Sequence, residues 1–298
     1  MTALASVPAH PRRLVYLGTP AVAVPTLRAL VAAGQDVALV VTNPDKRRGR
    51  GGGLVPSPVK AAAVELGLPV SDRVGDLLEV GADLGVVVAF GRLIRRPVLE
   101  RLAMVNLHFS LLPRWRGAAP VERAILAGDR ETGVCVMQLE EGLDTGPVFS
   151  RATVPIDDGA DLEQLRGVLV AAGTDLLLGH LRNGFGAPVP QEGEPTYAAK
   201  LSTDDLRLDW SRSAAELARV VRVGGGWTTF RGRRLKVVQA RPEADSSEPG
   251  LLVGTAVGTA DGTLVLELVQ PEGRAPMPAE AWRNGARPLP GERLGDPV

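Results

Sequence analysis

Residues 84–90 read Leu-Gly-Val-Val-Val-Ala-Phe, a continuous apolar run that is typical of a strand buried on both faces of a parallel sheet. Other apolar runs with the length of a strand are Leu14–Leu17, Val37–Val41, Met104–Phe109 and Val134–Leu139. Helical patterns lie between the strands, at Val24–Val31, Val59–Leu66 and Val121–Leu126. Alternating strands and helices predict an α/β fold, with a doubly wound, mostly parallel sheet that carries helices on both faces.

The length and the change in composition along the chain predict two domains. Single cores seldom grow much beyond about 250 residues, and this chain has 298. Gly, Pro and Glu dominate around Gly184–Pro195, a helical pattern follows at Ser213–Arg222, and short β runs separated by Gly and Pro continue to the end. We therefore predict a first domain at 1–187, a linker at 188–206 and a small, OB-like β-barrel domain at 207–298.

Composition excludes several classes of protein. No apolar run approaches the roughly 18 residues that span a bilayer, and residues 1–13 lack the apolar core of a signal peptide. Cys135 is the single cysteine, which excludes an intrachain disulfide framework and a multi-cysteine zinc site. His10 and His180 stand in no spacing that metal ligands use, so we expect no metal. We predict a soluble, cytoplasmic protein that does not bind membranes.

Basic residues are concentrated in two places, although 34 Lys and Arg balance 34 Asp and Glu overall. Residues 207–241 contain nine basic and two acidic residues, a local net charge of +7. A second group, at residues 46–50, is followed by three glycines. Such patches on a neutral chain indicate a localised site for a polyanion, and the alternative is a solvated surface without a ligand.

Two polar side chains on an apolar strand are the first candidates for catalysis. In Met104–Phe109, Asn106 and His108 are two residues apart and so face the same side of the strand. Burying both without partners is costly, whereas the carboxyl end of a sheet strand is where open α/β folds bind ligands. The alternative is a satisfied polar pair that fixes the following loop.

Asp144 is the third candidate. It lies in Gly142-Leu143-Asp144-Thr145-Gly146, where the two glycines permit a tight turn that presents the carboxylate. A carboxylate beside an imidazole fixes the orientation of the ring, so a partnership with His108 is plausible. A turn aspartate that bonds its own backbone is the alternative. Ser110 lacks the glycine-flanked elbow of a nucleophilic serine, and Cys135 lies in an apolar strand, which favours a core position.

The stretch Asn106–Pro113, together with Gly142–Gly146 downstream, resembles the folate-dependent formyltransferases, and within them the branch that formylates methionyl-tRNA. Supporting segments run almost from end to end: Gly18–Pro20, Asp45–Lys60, Pro113–Pro120, Tyr197–Leu201, Asp209–Ser211 and Gln270–Gly273. The sequence departs from the family between Arg222 and Trp227, where only Val-Gly-Gly-Gly remains, and around Ser71–Gly81, which is short.

The resemblance implies an enzyme that moves a formyl group from 10-formyltetrahydrofolate to the α-amine of methionine on initiator tRNA. Its partners would be folate and this tRNA, with no metal and no obligate protein partner. By carry-over, Asn106, His108 and Asp144 match the catalytic positions, and Arg50 matches a loop residue near the tRNA acceptor end. The folate-binding loop would be Ser110, Leu111, Leu112 and Pro113. With the C-terminal barrel as tRNA-binding domain, its expected contacts are Arg222, Arg231, Arg233, Arg234 and Lys236.

Two other functions stay open. A related formyltransferase would act on a sugar-nucleotide amine or another small amine. A non-enzymatic RNA-binding protein would keep the barrel beside an inactive α/β domain.

Overall fold

The structure, a computed structural model, describes residues 3–47 and 53–295. The strands in these ranges are β1 (Arg13–Gly18), β2 (Asp36–Val41), β3 (Lys46–Arg47), β4 (Leu54–Val55), β5 (Val70–Ser71), β6 (Leu84–Val88), β7 (Met104–His108), β8 (Arg116–Gly117), β9 (Glu131–Gln138), β10 (Val148–Pro155), β11 (Tyr197–Ala198), β12 (Trp227–Phe230), β13 (Arg233–Glu243), β14 (Leu252–Val253), β15 (Ala256–Gly258), β16 (Thr263–Pro271) and β17 (Met277–Pro278). The α-helices are α1 (Val24–Ala32), α2 (Pro58–Glu65), α3 (Arg96–Leu99), α4 (Pro120–Ala127), α5 (Leu162–Asn183), α6 (Ala214–Val223) and α7 (Ala279–Ala286).

The described residues divide into two compact units. The first lies within 1–121, 131–155 and 165–199, and the second within 122–130, 156–164 and 200–298. No helix in the described part of the chain is long and apolar enough to cross a membrane.

The first unit contains a seven-stranded sheet in the order β10-β9-β7-β6-β1-β2-β5. The five strands from β7 to β5 pair in parallel, whereas β9 runs antiparallel to both β7 and β10. The predicted mostly parallel sheet is confirmed, and the antiparallel edge formed by β9 and β10 is an addition to it.

Apolar side chains cover both faces of this sheet. On one face Val15 and Leu17 join a buried cluster with Leu99 of α3. On the other face the Tyr16 hydroxyl donates to the Ala23 carbonyl oxygen, 2.5 Å away, just before α1. β6 and β7 are buried along their whole length, as a doubly covered parallel sheet requires. Strand β7, which carries Asn106 and His108, and its neighbour β6 are therefore held by packing from both sides.

The second unit contains an antiparallel sheet in the order β12-β13-β16-β15-β14, with β17 paired to β16. Isolated bridges continue the pairing beyond these strands, between Trp227 of β12 and Arg207 and between Leu251 and Arg293. Closure into an OB-like barrel stays a prediction. The apolar face of α6 contributes Leu217, Val220 and Val221 to a core that also holds Trp282 of α7.

The connection from α6 to β12 accounts for the short glycine segment that departs from the family. Helix α6 begins with a reciprocal capping box between Ser213 and Glu216. It ends at Val223, and Gly224 and Gly225 then take φ values of 86° and 92°. These positive angles suit glycine, and they turn the chain into Trp227 within three residues. The short segment is thus a tight turn in the structure.

Candidate active site

Asn106 and His108 lie on one side of β7, and both are largely buried, at 9% and 5% exposure. Leu107 points to the opposite side, where a Cβ added to Gly173 of α5 would lie 3.5 Å from the Leu107 side chain. The predicted alternation along the strand is therefore present. It gives the two polar side chains a common side and buries the apolar one beneath a helix.

The imidazole of His108 lies between two oxygen acceptors. Its Nε2 is 2.9 Å from the Trp115 carbonyl oxygen, and its Nδ1 is 3.5 Å from Oδ2 of Asp144. A ring with a proton on each nitrogen is able to donate to both acceptors. The predicted proximity of His108 and Asp144, which are 36 positions apart in the sequence, is present in the fold.

The loop at 142–146 presents the Asp144 carboxylate, and its two glycines have steric reasons. A Cβ on Gly142 would overlap the Thr145 hydroxyl, and one on Gly146 would overlap the Gln138 carbonyl oxygen. The Asp144 carboxylate does not bond its own turn. Its Oδ2 instead accepts from the backbone N–H of Gly117, 2.8 Å away. This contact argues against the alternative in which Asp144 is a turn aspartate that bonds its own backbone.

Both residues that contact the imidazole of His108 have left-handed backbone conformations. Trp115 has a φ of 60° and Asp144 a φ of 50°. Such angles cost non-glycine residues about 1–3 kcal/mol each and persist where surrounding contacts fix them. Their concentration around one imidazole is typical of a functional site.

Asn106 differs from His108 because its side-chain amide has no hydrogen-bond partner within the described ranges. The amide instead lines a cavity of about 560 Å³, together with His108 and Asp144. An amide that faces a cavity offers two N–H donors to a ligand. The arrangement thus combines a free donor, an oriented imidazole and a carboxylate at one opening.

The apolar walls of this cavity include Phe90, Leu93, Ile94, Leu139 and Leu143. Phe90 and Ile94 are buried, at 2% and 3% exposure, whereas Leu93 and Leu143 are exposed by 73% and 58%. The sequence prediction missed the wall at 87–94. The available signal was the position of Phe90–Ile94 directly after the buried strand β6, since open α/β sheets bind ligands beyond the carboxyl ends of their strands.

The predicted folate-binding loop has another location. Of Ser110, Leu111, Leu112 and Pro113, none lines the cavity as the described residues form it. Ser110 is completely buried and its hydroxyl donates to the Arg114 carbonyl oxygen, 2.6 Å away. Leu112 packs in a cluster with Cys135, as expected for a core cysteine. Ser110 and Leu112 thus have contacts within the protein, and the assignment of this loop to folate stays a prediction.

Two of the arginines predicted to bind tRNA are occupied inside the second unit. Arg222 donates to the carbonyl oxygens of Ala160 and Asp157, at 2.8 and 2.6 Å, and burial lowers the pKa of its guanidinium. Arg231 forms an ion pair of 2.7 Å with Glu292 and lies over the Phe230 ring. Arg50 lies outside the described residues.

Of the other predicted contacts, Arg234 and Lys236 lie beside Trp227, whereas Arg233 pairs with Phe230. Arg233 and Arg234 are exposed and Lys236 is half-buried at the start of β13. The guanidinium carbon of Arg234 lies 4.4 Å from the Trp227 ring centroid, and that of Arg207 lies 5.7 Å away. No ion pair involves these basic side chains in the parts of the chain that are described. They are therefore available to a polyanion.

The described residues contain no group of three or more His, Cys, Asp or Glu side chains arranged to hold a metal ion.

Comparison with known families accounts for both units. Residues 12–179 match the formyl transferase family, and residues 200–287 match the formyl transferase C-terminal domain. The chain belongs to the formyl transferase family. Two curated relatives of this formyl transferase are both named methionyl-tRNA formyltransferase. That from Clavibacter sepedonicus is 46% identical over 295 residues, covering 92% of this chain and 97% of the relative. That from Thermus thermophilus is 45% identical over 303 residues, covering 95% and 99%.

Among solved structures, HypX from Aquifex aeolicus in complex with tetrahydrofolic acid has a TM-score of 0.66 and 18% identity to this formyl transferase. The match covers 97% of this chain and 49% of HypX. An N-formyltransferase from Helicobacter canadensis, in complex with folinic acid and dTDP-3-aminofucose, also has a TM-score of 0.66, at 16% identity, covering 85% of this chain and 98% of the other. At these identities the structural likeness establishes the fold alone.

Proposed function

We propose that this formyl transferase moves the formyl group of 10-formyltetrahydrofolate to the α-amino group of methionyl initiator tRNA, for the initiation of translation. One observation carries the proposal: relatives named methionyl-tRNA formyltransferase align with both units, at 46% identity over 92% of the chain for the first of them. The free Asn106 amide beside the His108–Asp144 pair supplies a chemical basis.

Asn106 is the donor best suited to the developing oxyanion. Attack of an amine on the formyl carbon places negative charge on the formyl oxygen, and a pre-aligned N–H donor stabilises that charge. The Asn106 amide lines the cavity and has no other partner among the described residues. Removing one such donor typically lowers the rate by about 10²–10³-fold.

His108 has a different position from that of a free oxyanion donor. Its Nε2 already faces the Trp115 carbonyl and its Nδ1 faces Asp144. Direct donation to the formyl oxygen would require the ring to leave one of these acceptors. We therefore propose that His108 first provides positive charge beside the reacting carbon. It donates to the oxyanion only after its Nε2 leaves the Trp115 carbonyl oxygen.

We assign proton removal from the attacking amine to Asp144. Its Oδ2 is engaged by Gly117 and faces His108, while its Oδ1 has no hydrogen-bond partner in the described ranges. An amine must lose a proton after attack, and a carboxylate at the cavity is able to accept it directly or through a water molecule. We propose that Oδ1 serves this role.

The apolar walls suit the flat ring system of a folate. Phe90, Ile94, Leu93 and Leu143 give the opening a nonpolar lining beside the polar trio. We propose that the pterin lies against these walls, with Ser110–Pro113 supporting the bend behind them. The folate carries the one-carbon unit and the protein supplies position and electrostatics, so the proposed reaction needs no metal.

We assign tRNA phosphate contacts to Arg233, Arg234 and Lys236, together with Arg50 of the 46–50 cluster. Arg222 and Arg231 remain predicted contacts, but their protein partners make them secondary. We further propose a catalytic domain at 1–187, a linker at 188–206 and a tRNA-binding domain at 207–298. We expect the enzyme to be cytoplasmic, with folate and tRNA as partners and no obligate protein partner.

A panel of acceptors tests the proposal. Charged initiator methionyl-tRNA, charged elongator methionyl-tRNA and a sugar-nucleotide amine are each offered with 10-formyltetrahydrofolate, and formylated product is quantified. We expect transfer to initiator methionyl-tRNA with a kcat/KM at least 100-fold above the other two. Preferred transfer to the sugar-nucleotide amine would assign the alternative substrate class. Binding of tRNA without transfer to any acceptor would favour the non-enzymatic RNA-binding function.

A further inference from the structure

Gln191 lies outside the cavity, within residues 188–206, which the sequence predicts to be a linker. It belongs to the 188–199 segment, which ends in the short strand β11 and pairs in parallel with β8. Gln191 is half-buried, and it is absent from the residues that line the cavity. Its side chain joins Arg116 to the loop that carries Asp144.

The side-chain amide of Gln191 makes four hydrogen bonds. Its Nε2 donates to the carbonyl oxygens of Asp144 and Gly146, both at 2.8 Å. Its Oε1 accepts from Nε and Nη2 of Arg116, at 3.1 and 2.7 Å. An amide has two donor hydrogens and two acceptor lone pairs, so its whole hydrogen-bonding capacity is used.

These bonds connect the two loops that contact His108. Arg116 lies between Trp115, whose carbonyl faces His108, and Gly117, whose N–H donates to Asp144. On the other side Gln191 holds the backbone of the Asp144 loop itself. Because Trp115 and Asp144 have positive φ angles, external contacts are needed to keep them in place. Gln191 supplies such contacts to the Asp144 loop and, through Arg116, to the residue next to Trp115.

We propose that Gln191 is a positioning residue, which holds the Asp144 carboxylate against His108 by joining the 142–146 loop to Arg116. The expected effect of Gln191 on catalysis rests on the proposed function, whereas its effect on the geometry of the loops does not. Glutamate at this position would keep the size and the Arg116 contact, but it would lose both donors to the loop carbonyls. Methionine would keep the length and lose every hydrogen bond.

The geometric part is tested by hydrogen exchange at the Gly117 amide, which donates to Asp144 Oδ2. We expect Gln191→Glu and Gln191→Met to lower its protection at least 10-fold, measured by NMR on the intact chain. Gln35→Glu, which makes the same charge change at a side chain without a hydrogen bond among the described residues, should leave it unchanged. Unaltered protection in both Gln191 variants would overturn the proposal, whatever the substrate of the enzyme.

The catalytic part is tested by kinetics with methionyl-tRNA. We expect both Gln191 variants to lower kcat about 10–100-fold with the folate KM within twofold, since small displacements of a reacting group have large effects on rate. In an Asp144→Asn background the same Gln191 changes should cost less than twofold, because their effect passes through that carboxylate. An equal loss in both backgrounds would refute the positioning role. A wild-type enzyme without activity towards this tRNA would instead count against the proposed function and leave the exchange result to decide the geometry.

Discussion

Gly117 donates its backbone N–H to Oδ2 of Asp144, across 27 positions of sequence and at 2.8 Å. The same carboxylate oxygen faces Nδ1 of His108 at 3.5 Å. Oδ2 of Asp144 therefore has two partners, whereas Oδ1 has no hydrogen-bond partner among the described residues. The backbone of Gly117 is as much a part of the site as the side chains that the sequence pattern indicates.

Gly117→Ala should damage the site without removing any catalytic side chain. Gly117 has a φ of 119°, and a Cβ there would lie 2.9 Å from the Ala198 carbonyl oxygen. The loop must move, and with it the N–H that orients Asp144. We expect the rate constant of single-turnover formyl transfer to fall about 10–100-fold.

Gly67→Ala is the matched control for this substitution. Gly67 also has a positive φ, 69°, but nothing lies within 4 Å of its added Cβ. We expect a loss of about 1 kcal/mol in the free energy of unfolding and an unchanged kcat. A Gly117→Ala enzyme with the wild-type single-turnover rate would show that the Gly117–Asp144 contact does not matter for the reaction.

Asn106→Ala should lower the rate of the chemical step about 10²–10³-fold, because it removes the free donor from the cavity. Asn106→Asp, which keeps the shape and adds a negative charge, should be at least as slow. Rapid-quench measurements at saturating tRNA and folate separate this effect from binding. Asn284→Ala, on the exposed side of α7, serves as the control. Normal chemistry in both Asn106 variants is incompatible with the proposed oxyanion contact.

Much of the first unit was predictable because its central strands are largely apolar. The run at 84–90 appears as β6, and the alternation around Asn106 and His108 appears in β7. Neither β10 nor α5 was predicted. The burial of β10 is irregular and Arg151 lies within it, as suits an edge strand, while α5 contains three glycines that disfavour a helix in isolation.

The site was only partly predictable. The proximity of His108 and Asp144 followed from residue types and their resemblance to a family, and the structure has it. Gln191 carried no signal because its role depends on loops from distant parts of the sequence. Charge alone did not separate the arginines either. Arg231 and Arg234 belong to the same basic stretch, yet one is paired with Glu292 and the other lies over Trp227.

This pair of arginines gives a direct test of the tRNA surface. We expect Arg234→Gln to weaken binding of initiator tRNA at every salt concentration and to reduce the slope of log K against log salt by about 1. Arg231→Gln should leave that slope unchanged and instead lower the stability of the second unit, since it breaks the ion pair with Glu292. Fluorescence titrations from low to high salt give both slopes. A wild-type slope for Arg234→Gln would remove Arg234 from the interface.

The capping box of α6 predicts an acid-dependent loss of stability. Hydrogen bonds from the Ser213 backbone, Arg212 and the Ser213 hydroxyl lower the pKa of Glu216 to about 2. A depressed carboxyl pKa stabilises the fold above the unfolded value, about 4.3, and this contribution disappears as pH falls towards 2. Because the Glu216 side chain is 36% exposed, solvent screens it, and we expect Glu216→Gln to cost about 0.5–1 kcal/mol at pH 7.

Urea unfolding followed by tryptophan fluorescence measures this difference, since Trp210, Trp227 and Trp282 lie in the second unit and Trp115 alone lies in the first. The gap between wild type and Glu216→Gln should shrink as the pH is lowered from 5 to 2. Glu280→Gln, at an exposed position in the first turn of α7, should change stability less. A gap that stays constant with pH would mean that the charge of Glu216 contributes nothing.

The two exposed leucines at the cavity, Leu93 and Leu143, have a thermodynamic consequence for ligand recognition. A folate that covers them removes apolar surface from water, which gives association a negative heat-capacity change. The enthalpy of association then becomes more favourable with rising temperature while the entropy becomes less so. Calorimetric titrations at several temperatures would report this slope, and shortening either leucine to alanine would flatten it.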